Sequence, residues 1–259
     1  MRQRARRGGR GAAVVLPVLG MLAVIAVWWL ATIVFAIEEF LLPSPADVLA
    51  VLGEHPGYLL EHAGVTLLEI VQGFGLSMVV GIPIALLIVS STVLERTIYP
   101  PLLALNAVPK IAIAPVLVVW MGFGPAPKVL LVFLVCFFPV VISTASGMKS
   151  TPFELVELMR SLDCTRWQEF FKLRFPHALP QVFVGLKTAI SLAVIGAVIA
   201  EFVGAGAGLG FVIVTSGSSA DTALAFAAMG LLGVMSIVLF YGLVYLERRL
   251  LPWAEEHRI

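Results

Sequence analysis

Long apolar runs separated by short polar segments dominate the chain. Six of these runs cover approximately residues 13–35, 66–90, 98–121, 128–147, 182–203 and 222–246. Each run is about 20 residues long or more, which is the length that an α-helix needs to cross the hydrocarbon core of a bilayer. The pattern therefore predicts an all-α integral membrane fold with six transmembrane helices.

Three segments need separate consideration: the third run, the loop 204–221 and the first run. The third run is interrupted by prolines, which remove backbone hydrogen bonds and break a helix: Pro100, Pro101, Pro109 and Pro115. The loop 204–221 is rich in small residues, and we expect a short re-entrant helix at residues 210–216. The first run could belong to a signal peptide, but a signal peptide has only about 7–15 apolar residues. We therefore expect an uncleaved first span.

The segment 150–181 is too polar to cross a bilayer and predicts two short helices joined by a turn. Thr151 is the expected cap of the first helix, with Pro152 at its first position and Glu154 completing a capping box. Thr165 and Gln168 repeat the capping pattern for the second helix. The turn lies at Asp163 and Cys164, and Pro176 and Pro180 are expected to stop the helix that follows.

The first of these short helices has an apolar stripe on one face. Its members follow the i, i+3, i+4, i+7 spacing: Leu155, Leu158, Met159 and Leu162. A helix of about ten residues is marginal alone and needs a surface on which to bury such a stripe. That surface could belong to the same chain, to lipid headgroups or to another protein.

Charge supports the membrane assignment and predicts an orientation. Only 13% of the residues are charged, against about 25% in a soluble domain, and the mean hydropathy is +1.02. Basic residues collect in the amino-terminal segment 1–12, at Arg96, in the loop 150–181 and at the carboxyl end (Arg248, Arg249 and Arg258, the last in the tail 250–259), while the segment 37–65 is acidic. Cytoplasmic loops are enriched in lysine and arginine. We therefore expect both termini and the loop to be cytoplasmic, flanking a transmembrane domain at 13–249.

Two charged residues within the runs are candidates for function. Glu201 lies in the fifth run, where a charge is costly, and it follows a ridge of small residues that admits a close helix neighbour: Gly185, Ala189, Ala193 and Ala197. The fifth helix could line a translocation pathway or a dimer seam, or Glu201 could cap the following glycine-rich turn. Lys110 could contact an anionic solute, or it could extend its ammonium group toward the membrane interface or pair with Glu201 or Glu69.

No set of residues suggests catalysis or a bound cofactor. The four histidines lie outside the runs and are not clustered, which argues against a metal site and against a membrane hydrolase. The glycine-rich stretch 204–210 does not have the spacing of a nucleotide-binding loop. A net charge of +1 gives no indication of a nucleic-acid partner. We expect no enzyme activity, no cofactor and no metal.

The loop 150–181 resembles a known signature. Glu157, Leu158 and Met159, then Asp163, and after nine further residues the stretch 173–176, are similar to the cytoplasmic motif of binding-protein-dependent ABC importer permeases. The stretches 42–45, 109–115, 120–124, 138–139 and 200–210 extend the resemblance, toward the nitrate, sulfonate and taurine subgroup, which includes permeases for thiamine pyrimidines and riboflavin. The resemblance covers approximately residues 42–253.

The resemblance implies a permease of the bacterial inner membrane that moves a small solute by alternating access. It implies partners: a cytoplasmic ABC ATPase, a second permease subunit and an external solute-binding protein. The residues of the loop expected to couple to the ATPase are Glu154, Leu155, Glu157, Leu158, Met159, Leu162, Asp163, Leu173 and Pro176. The substrate stays open between a small anion and a heterocycle.

This chain departs from the family motif in the coupling loop. Leu158 and Met159 stand in place of two alanines, and Asp163 stands in place of the turn glycine. Asp tolerates the left-handed conformation at a cost of roughly 1 kcal/mol, so we expect Asp163 to keep that conformation or to cap the second helix. The alternative function is a membrane scaffold or receptor subunit that binds a cytoplasmic protein through the loop without moving solute.

Overall fold

The computed structural model describes residues 10–257, and over that range the protein consists of helices joined by short loops. The helices are α1 (Arg10–Val34), α2 (Pro45–Glu54), α3 (Pro56–Ser90), α4 (Thr92–Asn106), α5 (Lys110–Met121), α6 (Pro125–Lys149), α7 (Phe153–Ser161), α8 (Arg166–Glu169), α9 (Phe175–Phe202), α10 (Leu209–Ser218) and α11 (Thr222–Leu250). A π-helical turn, Phe170–Arg174, joins α8 to α9, and a 3-10 helix, Pro252–His257, follows α11. The all-α prediction is confirmed.

Four helical segments in the described part of the chain are long and apolar enough to cross a membrane. They are α3, α6, the segment Arg166–Phe202 that contains α9, and α11. The pair α4 and α5 adds a fifth span if the two bent helices are counted as one. The predicted first span corresponds to α1, whose apolar part is Val18–Val34. The total of six spans stays a prediction, and most of the basic segment 1–12 lies outside the described residues.

Helix α9 lies at the centre of the molecule. It packs most extensively against α6, which in turn packs along α3, and α11 and α10 cover other sides of α9. The ridge of small residues predicted on α9 faces α6, where the thiol of Cys136 donates a hydrogen bond to the backbone oxygen of Ala189 at 3.2 Å. Gly185 is so close to Ser143 that a Cβ atom there would overlap the serine side chain. Small residues therefore allow the two helix backbones to approach.

The predicted third span is broken, as its prolines indicated, but the break lies at one place only. Helices α4 and α5 meet at an angle of 90° across residues 107–109. Pro100 and Pro101 lie inside α4, and Pro115 lies inside α5. Only Pro109 marks the break, where its extended backbone ends one helix and starts the next. Proline position alone therefore did not identify which of the four residues bends the chain.

The prediction that Pro176 and Pro180 stop a helix is wrong. Both prolines lie within α9, which continues from α8 through the π-helical turn. In that turn the Phe175 N–H donates to the Phe170 carbonyl, five residues earlier. Pro176 has no N–H and cannot donate the backbone hydrogen bond that a regular α-helix would need at this position. The wider turn immediately before Pro176 lets the helix continue without that bond.

Of two further short helices, α10 and α2, the sequence analysis predicted only α10. The expected helix near residues 210–216 is present as α10. Helix α2 lies in the segment that we predicted only as a polar connection. The sequence signal for α2 was the spacing of Ser44 and Asp47. In the structure the Ser44 hydroxyl accepts a hydrogen bond from the Asp47 N–H, and the Asp47 carboxylate accepts one from the Ser44 N–H at 2.8 Å. This is a capping box with Pro45 at the first helical position.

Candidate functional site

The loop 150–181 folds into α7, a turn, α8 and the π-helical turn that leads into α9. The predicted cap of α7 is wrong by one residue: Pro152 occupies the cap position, and the helix begins at Phe153. The Thr151 hydroxyl is buried without a hydrogen-bond partner, so it forms no capping box with Glu154. Pro152 adopts an extended backbone (φ −56°, ψ 137°), and this moves the helix start past the position from which Thr151 could cap.

The turn after α7 has the conformation that the sequence predicted. Asp163 has a φ of 53°, in the left-handed region, and its N–H donates to the Arg160 carbonyl at 3.0 Å. The Cys164 N–H donates to the Met159 carbonyl at 3.2 Å, so the last carbonyls of α7 are satisfied. The predicted capping box of α8 is also confirmed. The Thr165 hydroxyl accepts from the Gln168 N–H at 3.3 Å, and the Gln168 side chain accepts from the Thr165 N–H at 2.9 Å.

The loop presents a large apolar surface to its surroundings. Leu155, Leu158 and Leu162 of the predicted stripe are 39%, 56% and 65% exposed, while Met159 is half-buried. Three aromatic residues that we did not predict enlarge this surface: Phe153, Trp167 and Phe171. We call these six exposed side chains, with Met159, the loop surface. The i, i+4 spacing of Trp167 and Phe171, whose rings stack at 5.6 Å, was the signal that could have identified them.

Ion pairs centred on one buried carboxylate hold the two halves of the loop together. The carboxylate of Glu169, which is only 8% exposed, lies 2.6 Å from the guanidinium of Arg174 and 3.6 Å from that of Arg160. Arg160 belongs to α7 and Arg174 to the π-helical turn, so one carboxylate connects both halves of the loop. Of the predicted coupling residues, Glu154 and Glu157 are exposed, and Leu173 and Pro176 are half-buried where the loop joins α9.

Lys110 stands at the break between α4 and α5. Its ammonium group donates to the Asn106 carbonyl at 2.8 Å and to the Asn106 side-chain oxygen at 2.9 Å. It also lies 4.7 Å from the centre of the Phe138 ring. The alternative that Lys110 pairs with Glu201 or Glu69 is therefore wrong. The cation that pairs with Glu69 is Lys128, which a fold with α6 beside α3 brings within 2.6 Å.

Glu201 is buried at the junction of α9, α3 and α10. Its carboxylate accepts hydrogen bonds from the Thr66 hydroxyl at 2.7 Å and from the Gly210 N–H at the start of α10. A Cβ atom at Gly208, where φ is +116°, would overlap this carboxylate. The geometry corresponds to the capping alternative for Glu201. Gly185, Ala189, Ala193 and Ala197 are all buried, packed in the centre of the same chain.

Comparison with known proteins agrees with this geometry. Residues 77–252 match the family model described as "Binding-protein-dependent transport system inner membrane component". A formylaminopyrimidine transport permease protein from Halalkalibacterium halodurans is 34% identical over 93% of this chain and 96% of its own length. A riboflavin transport system permease protein from Chloroflexus aurantiacus is 34% identical over 92% and 91%. A taurine transport system permease protein from Escherichia coli is 30% identical over 92% and 90%.

A solved structure shares the fold. A chain of the MetNI methionine ABC transporter, in an inward-facing conformation, superposes with a TM-score of 0.66 and covers 74% of this chain and 95% of its own length. Its sequence identity is 18%, so this likeness concerns the fold alone. The family match and the relatives at 34% identity carry the assignment. The chain belongs to the family of inner membrane components of binding-protein-dependent transport systems, and it is a multi-pass ABC transporter permease.

Proposed function

We propose that this protein moves a small solute into the cytoplasm as the permease subunit of an ATP-driven importer, and that the loop surface docks on a cytoplasmic ATPase. The observation that carries the proposal is the exposure of the loop surface, where Phe153, Leu158 and Trp167 are 68%, 56% and 73% exposed. Several large apolar side chains exposed on one polar segment are typical of an interaction site.

The composition of α7 favours a protein partner over lipid headgroups. Helices that lie on a membrane surface carry lysine and arginine on their polar face. In contrast, Glu154, Glu157 and Asp163 stand among the exposed apolar side chains of α7 and its turn, and the one basic residue of α7, Arg160, is paired with Glu169. Acidic side chains would be repelled by anionic lipids, whereas a groove with basic residues at its rim would attract them.

The fastening of the loop supports a role in transmitting force. Glu169 connects α7 to the π-helical turn through Arg160 and Arg174, and that turn continues directly into the central helix α9. A push on the loop surface would therefore reach α9 through a continuous helix rather than through a flexible linker. Closure of two ATPase subunits on ATP would rock the spans between inward-open and outward-open states.

The complete importer that we propose contains two copies of this chain, two ATPase subunits and an external solute-binding protein. Its orientation follows the positive-inside rule, with the loop 150–181, the amino-terminal segment and the tail in the cytoplasm. The matched family is named for dependence on a binding protein, which supports that partner. The exposed apolar side chains of α3 and α11 are surfaces that either lipid or the second copy would cover.

The relatives limit the class of solute. Their names specify formylaminopyrimidine and riboflavin, which are heterocycles, and taurine, which carries a sulfonate. We propose that this protein imports a small solute of one of these two classes. Lys110 is the pathway candidate, because it is half-buried at a helix break of the kind that lines cavities in membrane proteins. Uptake competition in whole cells by taurine and by an aminopyrimidine would separate the classes.

The experiment that tests the proposal purifies the tagged protein from native membranes in mild detergent and identifies co-purified subunits by mass spectrometry. The variant Leu158→Asp places a charge in the centre of the loop surface. Leu49→Asp is the matched control, because Leu49 is 68% exposed on α2, far along the chain from the loop. We expect an ABC ATPase subunit with the wild type and with Leu49→Asp, and its loss with Leu158→Asp.

The alternative scaffold function predicts a different result. If the folded wild type recovers no ATPase subunit, or if the purified complex reconstituted in vesicles hydrolyses ATP without taking up any solute, the importer proposal is wrong. A complex that survives the Leu158→Asp substitution would place the contact elsewhere on the protein.

A further inference from the structure

The start of α10 is held by side chains from two other helices. The first N–H groups of a helix have no partner within the helix. Here the Gly208 N–H donates to Nδ1 of His62 at 2.9 Å, and the Leu209 N–H donates to the Thr66 hydroxyl at 2.8 Å. The Gly210 N–H donates to the carboxylate of Glu201. Three consecutive backbone groups are therefore satisfied by three different acceptors.

His62 differs from the other two acceptors because its capacity to accept depends on its protonation state. A neutral imidazole has one donor and one acceptor nitrogen, while the protonated ring has two donors. The bond from Gly208 requires a free electron pair on Nδ1, so the ring must be neutral with its proton on Nε2. Rotating the ring by half a turn would place a carbon atom toward Gly208, and that carbon cannot accept.

The packing around His62 holds the ring in this orientation. The side chain is only 8% exposed. The Tyr58 ring contacts it edge-on with centroids 4.4 Å apart, and the Phe211 ring of α10 lies 5.8 Å away. A protonated ring cannot turn away from Gly208 without disturbing both aromatic neighbours.

We propose that His62 is a proton-sensitive latch that holds the start of α10 only in its neutral form. Protonation at Nδ1 replaces the acceptor with a donor, so two N–H groups face each other and the Gly208 N–H is left buried without a partner. Leaving a buried donor unsatisfied is costly, so Gly208, the residue immediately before α10, would detach from α3. The latch is closed at neutral and alkaline pH and opens as the pH falls.

The charged groups around the latch limit how far it opens. Glu61 is the neighbouring charge on α3. Glu201 of α9 accepts a hydrogen bond from Thr66, which lies one turn after His62 on α3. Lys128 of α6 is paired with Glu69 of α3. Helix α10 itself, Leu209–Ser218, contains no titratable side chain. Thr66 and Glu201 keep their bonds to Leu209 and Gly210 when His62 is protonated, so the opening is confined to Gly208 and the preceding glycine-rich loop.

This inference goes beyond the proposed transport function and does not depend on it. The latch connects α3 to α10 within one chain and needs no ATPase, no binding protein and no solute. Imidazole is the side chain whose ordinary pKa, near 6.5, lies in the range that the surroundings of a cell can reach. Acidification on the side of the membrane where this loop lies would loosen the loop between α9 and α10.

Hydrogen–deuterium exchange on the protein in lipid nanodiscs tests the latch. The readout is the protection of peptides that cover residues 204–212, corrected at each pH for the intrinsic exchange rate. In the wild type we expect protection to fall about tenfold between pH 8 and pH 5.5, since one hydrogen bond is worth about one factor of ten. A wild-type protection that stays constant over this range overturns the proposal.

Two variants separate the latch from general effects of pH. In His62→Asn the side-chain oxygen can take the place of Nδ1 and accept at every pH, so protection should stay high and flat. His55→Asn removes an exposed histidine at the start of α3 and should keep the wild-type fall. If His62→Asn shows the same fall as the wild type, another group is responsible and the proposal is wrong.

A measurement on the wild type alone covers the case in which His62→Asn does not fold. Nitrogen chemical shifts of the histidines, labelled with ¹⁵N and recorded in nanodiscs at pH 8, report which ring nitrogen carries the proton. We expect a histidine with its proton on Nε2 and a hydrogen-bonded Nδ1. A buried histidine with its proton on Nδ1 at pH 8 contradicts the latch.

Discussion

Lys128 of α6 and Glu69 of α3 form an ion pair with 2.6 Å between the ammonium nitrogen and one carboxylate oxygen, and both side chains are almost completely buried. Their positions are 59 residues apart in the chain. The pair joins two of the helices that are long enough to span a membrane. An isolated charge would be costly in this place, so each residue depends on the other.

Removing one partner of this pair should destabilise the protein strongly. We expect Lys128→Met to lower the free energy of unfolding by about 3–5 kcal/mol, because it leaves the Glu69 carboxylate buried without a counter-charge. Replacing Glu69 with Leu in the same protein should restore most of this loss, since no unpaired charge then remains. Thermal unfolding of the detergent-solubilised protein, followed by size-exclusion chromatography, measures the difference. A double variant as unstable as Lys128→Met would contradict the pairing.

Adding a methyl group at Gly185, where α9 contacts α6, should destabilise the protein. Gly185→Ala places a Cβ atom against Ser143 and the Pro139 carbonyl, and we expect a loss of about 1–3 kcal/mol of stability. Gly233→Ala in α11 is the matched control, because no atom lies within 4 Å of a Cβ built there. That substitution should be neutral or stabilising, since alanine favours a helix over glycine. Equal effects at both positions in a thermal melt would argue against the close approach.

Replacing Asp163 with glycine should stabilise the turn after α7. Asp163 has a φ of 53°, and Asp163→Gly removes the strain of a left-handed aspartate, which we expect to add a few tenths to about 1 kcal/mol of stability. Asp163→Val should lower stability, because a β-branched residue is poorly tolerated there. Limited proteolysis of the loop 150–181 provides the readout. Faster cleavage of the glycine variant than of the wild type would contradict this conformation.

Reversing the charge at Glu157 should affect transport without affecting the fold. The side chain is exposed on α7 and forms no ion pair with another described residue, so Glu157→Lys should leave insertion and thermal stability unchanged. We expect solute-dependent ATP hydrolysis by the assembled complex to be lost. Glu54→Lys, at an exposed glutamate at the end of α2, is the control. Normal uptake with Glu157→Lys would count against the coupling role of α7.

Local sequence was sufficient for the helices and for the turn at the loop. Apolar runs of span length identify α3, α6, α9 and α11 because the bilayer demands a continuous apolar segment from each helix separately. The Thr165 and Gln168 box and the left-handed Asp163 could also be predicted, since each depends on atoms within a few residues. The same local reasoning would have identified α2 from Ser44 and Asp47.

Tertiary structure decided which residues act together. The partner of Glu69 is Lys128 rather than Lys110, and Glu201 meets the start of α10, because helix packing brings distant positions within hydrogen-bonding distance. The role of His62 depends on Gly208, which lies 146 residues away in the chain. Local rules failed at Pro176 as well, where the π-helical turn before α9 changes the hydrogen-bonding pattern. Periodicity and capping are encoded in neighbouring residues, whereas the pairing of buried polar groups depends on which helices pack together.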